Sequence, residues 1–210
     1  MARCLLAALA LSALSGCKGG SGSGDGGPCT IPVPIVSVDG FSLLPAEDDP
    51  FAPAHVLDAG TSTSGDAGTS TTGFVRGRCG PDEIKHELLG DTPSFSITTL
   101  FCSWGTVRAP LLEPITAGET LHLRIWYFSQ QAISEAQAKL EIRVDGKPLW
   151  KGTVPLPTSG SLIVEDIVAP FPAPLGAELL WNVSNHGTNS WNFLELSRDG
   201  LGPCADAGSS

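Results

Sequence analysis

Alternation of apolar and polar residues limits the fold of this 210-residue chain more than any other feature of its sequence. A period of two places successive side chains on opposite faces of a β-strand. In the stretch 121–128, one face carries Leu121, Leu123, Ile125 and Tyr127, and the other carries His122, Arg124, Trp126 and Phe128. The stretch 139–144 repeats the pattern, with three apolar residues facing one way and three charged residues facing water: Leu140, Ile142, Val144, Lys139, Glu141 and Arg143. Both stretches therefore predict amphipathic strands.

Turn signals separate such strands along the chain, and the long helical periods of an α/β fold are missing. Asp145-Gly146, directly after the second stretch, suits the positive φ angles of a two-residue hairpin turn. We predict an all-β chain folded as an antiparallel β-sandwich of jelly-roll type, with about 8–10 strands. One short helix is expected at 81–89, where proline stands first and Gly90 follows the end.

A lipidation motif ends the N-terminal leader. Arg3 precedes the apolar run 4–14, which is shorter than the roughly 20 residues of a membrane-spanning helix and has the build of a secretory signal. The four residues LSGC at 14–17 resemble the lipobox of bacterial lipoproteins. The resemblance implies a lipoprotein signal peptide over 1–16, cleaved before Cys17, and acylation of that cysteine, which anchors the chain in a membrane. The alternative is an ordinary signal peptide with a chance cysteine.

The residues after the lipobox predict the domain organisation. Glycine and serine dominate 17–27 and indicate a flexible tether. Lys18 stands where an aspartate retains lipoproteins at the inner membrane, so we expect the bacterial outer membrane or cell surface. A single β-sandwich domain is predicted over 28–210. Within it, the repeat DAGTSTSG-DAGTSTTG at 58–73 predicts a solvated low-complexity loop.

Six cysteines divide between the leader, the lipid and disulfides. Cys4 leaves with the signal peptide, and an even number remains after Cys17, which indicates two disulfides in an exported chain: Cys29, Cys79, Cys102 and Cys204. Four cysteines allow three pairings. We favour Cys29–Cys204, because both lie just outside the folded core where the first and last strands of a sandwich meet, and Cys79–Cys102 then follows. A zinc site is disfavoured because the chain has no C-x-x-C pair.

Charge and motifs exclude several functions. The chain has 12 Lys and Arg against 22 Asp and Glu, a formal net charge of −10, and an acidic protein is repelled by the phosphates of nucleic acid. No serine-hydrolase elbow, zinc-protease motif, phosphate-binding loop or calcium loop is found. We therefore predict no catalytic residues, no cofactor, no metal and no nucleic acid partner. The acids at 47–49 are interpreted as a solvated turn, with a calcium site as the alternative.

The second half of the chain is similar to carbohydrate-binding modules. The aromatic stretch at 121–128, the VDGK hairpin at 144–147 and LLWNVSNHGTNSWNFLEL at 179–196 follow in the order seen in jelly-roll sandwiches of that type and their galactose-binding-like relatives. This resemblance covers 121–197. It implies a non-catalytic role in binding glycans.

Four residues are the candidate ligand-binding set: Trp126, His186, Asn189 and Trp191. Amide and imidazole groups beside an indole suit a sugar, whose hydroxyls accept and donate hydrogen bonds while its ring stacks on the aromatic face. The alternative is that Trp191 and its neighbour Trp181 belong to the core and that the loop between them supplies only turn residues.

Three functions from different classes follow from these observations. The leading hypothesis is a membrane-anchored, non-enzymatic binding or adhesion module, with polysaccharide or an envelope protein as partner. The first alternative is a structural or assembly subunit of an envelope protein complex. The second alternative is a glycoside hydrolase using carboxylates such as Asp166, Glu178 or Glu195, because such enzymes need two carboxyls at a fixed separation.

Overall fold

A computed structural model describes residues 29–51, 77–132, 135–185 and 190–202. The predicted leader, the tether, the low-complexity loop at 58–73 and Cys204 lie outside these residues. The chain divides into two compact units, Pro32–Asp199 and a smaller one formed by Met1–Ile31 with Gly200–Ser210. In the smaller unit, the described residues 29–31 and 200–202 are strand. The prediction of one sandwich domain over 28–210 stays a prediction.

Strands dominate the described residues. There are eleven of them, slightly more than the sequence predicts: β1 (Cys29–Pro34), β2 (Ser42–Leu43), β3 (Ile84–Leu89), β4 (Thr92–Thr98), β5 (Trp104–Pro110), β6 (Thr120–Tyr127), β7 (Ala136–Val144), β8 (Lys147–Leu156), β9 (Ser161–Val168), β10 (Glu178–Ser184) and β11 (Ser190–Gly202). Three single 3-10 turns complete the set, at Val38–Gly40, Ala46–Asp48 and Pro81–Glu83. Among the described residues, no helix has the length and apolar character needed to cross a membrane.

The strands form two sheets, which confirms the predicted antiparallel β-sandwich. Sheet A has the order β3-β4-β11-β6-β9, with β1 also paired to β11, and sheet B has the order β2-β5-β10-β7-β8. The pairs β3-β4, β4-β11, β11-β6 and β6-β9 of sheet A and all four pairs of sheet B run antiparallel. β11 carries a bulge between Phe193 and Glu195, and beyond it the amide of Ile35 donates to the carbonyl of Leu196.

The faces predicted from alternation are the faces that the structure buries. On β6, Leu121, Leu123 and Ile125 are fully buried, whereas His122, Arg124 and Trp126 are half-buried on the outer face of sheet A. On β7, the three apolar residues of the predicted stretch are buried. Asp145 and Gly146 have φ angles of 48° and 73°, which confirms the predicted hairpin turn between β7 and β8.

Aromatic rings from both sheets fill the centre of the core. Trp181, Phe95 and Phe193 are fully buried, and Phe41 packs against all three with ring centroids 5.0–6.2 Å apart. Edge-to-face and tilted contacts of this kind add to the free energy gained by burying the rings. The core therefore holds the two sheets face to face, and each sheet keeps an outer face toward solvent.

The prediction of a short helix over 81–89 is wrong. Only Pro81–Glu83 makes a single 3-10 turn, and Ile84–Leu89 is strand β3, which pairs with β4 along its whole length. A helix of barely two turns gains little by itself, whereas the hairpin pairs six residues and closes through Gly90 at a φ of 66°. Pairing with a distant segment therefore outweighs the local helix signals.

A disulfide joins Cys79 to Cys102, the pairing that the sequence analysis favours, with the two Cα atoms 4.9 Å apart. Both residues are buried. The bond ties the segment before β3 to the turn between β4 and β5. The second pairing, Cys29–Cys204, stays a prediction because Cys204 lies outside the described residues.

Candidate ligand-binding surfaces

The structure separates the predicted ligand-binding residues. Trp191 is fully buried, and its ring packs against Tyr127 with centroids 5.0 Å apart. It offers no face to a sugar. Trp191 is therefore a core residue, which was the alternative interpretation of it in the sequence. Trp126 lies on the opposite, outer face of sheet A. His186 and Asn189 lie outside the described residues.

An aromatic pair marks the outer face of sheet A, and we call it the Trp126 surface: His122, Arg124, Trp126 and Phe128. The rings of Trp126 and Phe128 stand edge to face, with centroids 6.2 Å apart and planes at 89°. Phe128 is 43% exposed. The indole Nε1 of Trp126, however, is buried and has no hydrogen-bond partner. The polar edge of this tryptophan is thus not offered to a ligand.

Ion pairs occupy the rest of the Trp126 surface. Arg124 donates to Glu195 on β11 at 3.2 Å. The Nδ1 atom of His122 lies 2.7 Å from Asp166 on β9, and its Nε2 atom lies 3.4 Å from Asp199 on β11. The hydrogen bond to Asp166 is the main reason that the pKa of His122 is raised. Burial opposes the rise, and the charges of Asp199 and Asp166 add to it.

The outer face of sheet B carries a groove along β7 and β8. A hollow of about 390 Å³ lies over the middle of these strands and β10, and its polar lining consists of Lys139, Glu141, Lys151, Thr153, Asn182 and Ser184, with Phe51 beside them. A second, more open hollow of about 860 Å³ runs from Lys139 toward Glu135 and Pro157. Both hollows share Lys139, and we call the two together the sheet B groove. Volumes of a few hundred Å³ with a few polar groups are typical of ligand sites.

Phe51 forms the aromatic wall of the sheet B groove. The guanidinium carbon of Arg143 lies 4.2 Å from the centre of its ring, a distance at which the positive charge is attracted to the ring face. The backbone amide of Phe51 donates to the carboxylate of Asp49 at 3.0 Å. Phe51 is therefore held from two sides, although it lies in a loop.

Asp49 anchors that loop to sheet B. Its side chain is completely buried and accepts hydrogen bonds from the Thr106 hydroxyl at 2.9 Å and from Nε of Arg78 at 3.2 Å. Arg78 also donates to the carbonyl of Leu44. The expected solvated turn at 47–49 is thus wrong for Asp49, because its side chain is buried and its charge is satisfied by the half-buried Arg78. Glu47 and Asp48 are exposed.

Asn182 and Glu141 form the floor of the groove. The amide nitrogen of Asn182 donates to the Thr106 hydroxyl at 2.8 Å and to the carbonyl of Gly105 at 3.2 Å. Glu141 accepts from Nε of Arg143 at 2.7 Å and lies 3.4 Å from the Lys151 ammonium. These contacts fix both side chains before any ligand arrives, which lowers the entropy cost of binding.

The acids of the hydrolase alternative lie on different sheets. Glu178 belongs to β10 in sheet B and faces Arg108 at 3.6 Å, whereas Asp166 and Glu195 belong to sheet A and are held by His122 and Arg124. Among the described residues, no group of three or more His, Cys, Asp and Glu side chains is arranged to hold a metal ion.

Comparison with known proteins gives similar folds at low identity. No protein-family model matches the chain, and no curated protein matches it. A carbohydrate-binding module specific for non-crystalline cellulose, CBM28, is similar at a TM-score of 0.39 and 8% identity over 55% of this chain and 79% of that one. A CBM4 structure is similar at a TM-score of 0.33 and 12% identity over 59% of this chain and 96% of that one.

An arabinose-bound α-L-arabinofuranosidase is similar at a TM-score of 0.40 and 10% identity, over 57% of this chain and 23% of that enzyme. The chain thus spans about a quarter of the enzyme's length. β-Sandwich carbohydrate-binding modules are among the structures that this chain is similar to, in line with the resemblance of its second half. At TM-scores of 0.40 or less, these likenesses identify neither a ligand nor an activity.

Part of the groove could be predicted from the sequence and the rest could not. The alternation in 139–144 correctly places Lys139 and Glu141 on a water-facing side, but it gives no reason to treat that side as a site. Asp49 and Phe51 come from a loop without periodicity. Only the fold brings that loop over strands that lie about 90 residues later in the chain.

Proposed function

We propose that this chain is a lipid-anchored, exported module without enzymatic activity, which binds polysaccharide in the sheet B groove. The observation that supports it most is the groove itself, two hollows of about 390 and 860 Å³ that adjoin at Lys139. A groove that continues along two strands suits an extended polymer better than a single small molecule.

The lining of the groove suits a sugar chemically. Arg143 covers one face of the Phe51 ring, and the apolar face of a sugar stacks on the other face. Thr153 and Ser184 supply hydroxyl groups that donate and accept hydrogen bonds, and both line the same hollow as Asn182. Asn182 adds only an acceptor, its amide oxygen, because its nitrogen already donates to Thr106 and Gly105. The Trp126 surface is the weaker candidate, because its indole N–H is buried and its His122 and Arg124 are already paired with the carboxylates of Asp166 and Glu195.

The location belongs to the proposal and depends on the LSGC motif at 14–17. Acylation of Cys17 would hold the domain at the bacterial outer membrane or cell surface, and the tether would give it room to reach polymers near that membrane. Metabolic labelling with a fatty-acid probe tests this part. Label that disappears in Cys17→Ala supports it, and label that persists in that variant contradicts it.

Binding is tested with the full-length chain in detergent on an array of soluble glucans, xylan, galactan, arabinan and polyuronates. We expect saturable binding to at least one polymer, and binding about tenfold weaker in Phe51→Ala because the stacking surface is lost. Trp126→Ala is the matched control, since it removes an aromatic ring from the other sheet and should leave affinity unchanged. No binding by the folded chain to any polymer, or loss of binding in Trp126→Ala alone, contradicts the groove.

A second candidate function, assembly with an envelope protein, is favoured by strand β9. In the described part of the chain, β9 pairs only with β6, and Val164 and Val168 on it are 63% and 66% exposed. An unpaired apolar edge of this kind is a surface to which a strand of another protein can add. Val164→Glu should then abolish cross-linking to a partner in intact cells without changing polysaccharide binding.

A further inference from the structure

Basic residues concentrate on sheet B although the whole chain is acidic. The strands of sheet B carry five basic residues, Arg108, Lys139, Arg143, Lys147 and Lys151, against two acidic ones, Glu141 and Glu178. The strands of sheet A carry three basic residues against five acidic ones, Glu87, Glu165, Asp166, Glu195 and Asp199. The strands of sheet B are therefore net positive in a protein of net charge −10, while acidic residues lie around them, Glu135 in the lining of the groove and Glu47 and Asp48 in the loop over the sheet.

Within the groove, Lys139 is the cation without a counter-ion. Glu141 is shared by Arg143 at 2.7 Å and Lys151 at 3.4 Å, and Arg108 lies against Glu178. Lys139 is exposed and makes no ion pair with any residue that the structure describes. Two acids line the hollows: Glu141 is already held by two cations, and Glu135 makes no ion pair with Lys139. Lys139 therefore carries an unpaired positive charge at the point where the two hollows join.

Two hydroxyl groups flank that charge. In the strand register, Ser184 of β10 lies opposite Lys139 on one side, and Thr153 of β8 lies opposite it on the other. All three residues line the 390 Å³ hollow. An ammonium between two hydroxyls offers several donors at one spot, and donors of this kind bind a carboxylate by charge-assisted hydrogen bonds.

We infer that the saccharide bound in the sheet B groove is acidic and carries carboxylates, as a polyuronate does. The inference rests on the proposed function. A carboxylate lies at the row Ser184, Lys139, Thr153, and the ring that bears it or a neighbouring ring stacks on Phe51. The acidic strands of sheet A repel the same polymer, and the polymer therefore binds on the sheet B side.

The test compares polymers that differ in charge and little else. The full-length chain is titrated with polygalacturonate, with alginate, and with polygalacturonate whose carboxyls are methyl-esterified. We expect binding to at least one of the two acids, at least tenfold weaker binding to the ester, and weaker binding of the acid as salt is raised from 50 to about 500 mM, because salt screens exposed charges. Dextran sulfate serves as a polyanion without carboxylates and should bind more weakly than the acid.

Lys139→Gln locates the charge effect. It removes the charge and keeps a polar side chain that is one atom shorter, and it should weaken acid binding about tenfold while leaving the ester unchanged. Lys85→Gln on β3 of sheet A is the matched control and should change neither.

Four results overturn the inference while the proposed function stands: equal binding of acid and ester, binding to neutral polymers alone, equal binding of dextran sulfate, or an unchanged affinity in Lys139→Gln when Phe51→Ala has lost binding. Failure of the folded chain to bind any polymer overturns the proposed function itself, and the inference with it.

Discussion

At the scale of single residues, the environment of each side chain decides its role, and alternation predicts only which face it occupies. Trp126 and Trp191 are both aromatic candidates in the sequence, yet Trp191 is fully buried and Trp126 is half-buried. The register shows why: Trp191 lies opposite the core residue Tyr127, whereas Trp126 lies opposite Asn192. The pairing of β6 with β11 cannot be read from the sequence, and the separation of the two rings could therefore not be predicted from it.

Asp49 should be a positioning residue for the groove. Asp49→Ala leaves Arg78 without its counter-ion and Phe51 without its backbone anchor, so we expect the free energy of unfolding to fall by about 3 kcal/mol and polysaccharide affinity to fall as well. Urea unfolding and the binding array measure the two effects. Asp48→Ala removes an exposed neighbour and should change neither; equal behaviour of the two variants would argue against the anchor.

His122 should make stability depend on pH. Its pKa is raised in the folded state, mainly by the hydrogen bond to Asp166, so it binds a proton more tightly folded than unfolded. The stabilisation is fully present below the unfolded pKa of about 6.5 and is lost as pH rises through the folded pKa. We expect His122→Gln to destabilise the protein at pH 5.5 and to have a smaller effect at pH 8.5.

Urea unfolding at the two pH values measures this difference, and an NMR titration of the His122 ring checks its cause. Asp166→Asn removes the acceptor and should lower the pKa of His122. An Asp166→Asn protein in which the histidine titrates as in the parent would refute the assignment.

At the scale of elements, strands with a strict local pattern are predictable and elements fixed by distant partners are not. β6, β7 and the Asp145-Gly146 turn follow from alternation and turn chemistry, which act within a few residues. β3 has the composition of a short helix but pairs with β4, and that contact is not encoded in its own residues. The loop that carries Phe51 is placed by Asp49 and Arg78, which are 29 residues apart.

The disulfide Cys79–Cys102 should stabilise the link between the segment before β3 and the turn after β4. Removing a crosslink that spans 23 residues frees the unfolded chain, and we expect Cys79→Ala with Cys102→Ala to lower the free energy of unfolding by about 3 kcal/mol. Alanine is chosen because both positions are buried. Urea unfolding of the parent, with and without reductant, gives the comparison, and a loss well under 1 kcal/mol would contradict this role.

At the scale of the whole molecule, two chemically different outer faces are the main result. The net charge of −10 correctly describes the chain as acidic, but it does not show that the strands of sheet B are net basic and those of sheet A net acidic. Composition averages over faces, so the distribution of charge could not be predicted until the strand order was known. The groove follows from the same cause, since it forms where a distant loop and three strands of sheet B meet.

NMR mapping of the backbone amides of the full-length chain, during titration with a galacturonate oligomer, tests whether the saccharide lies in the sheet B groove. We expect shifts concentrated at 139–141, 151–153 and 182–184, with 122–128 unchanged. Shifts concentrated at 122–128 instead would place the ligand on the Trp126 surface and would contradict the sheet B groove as the binding site.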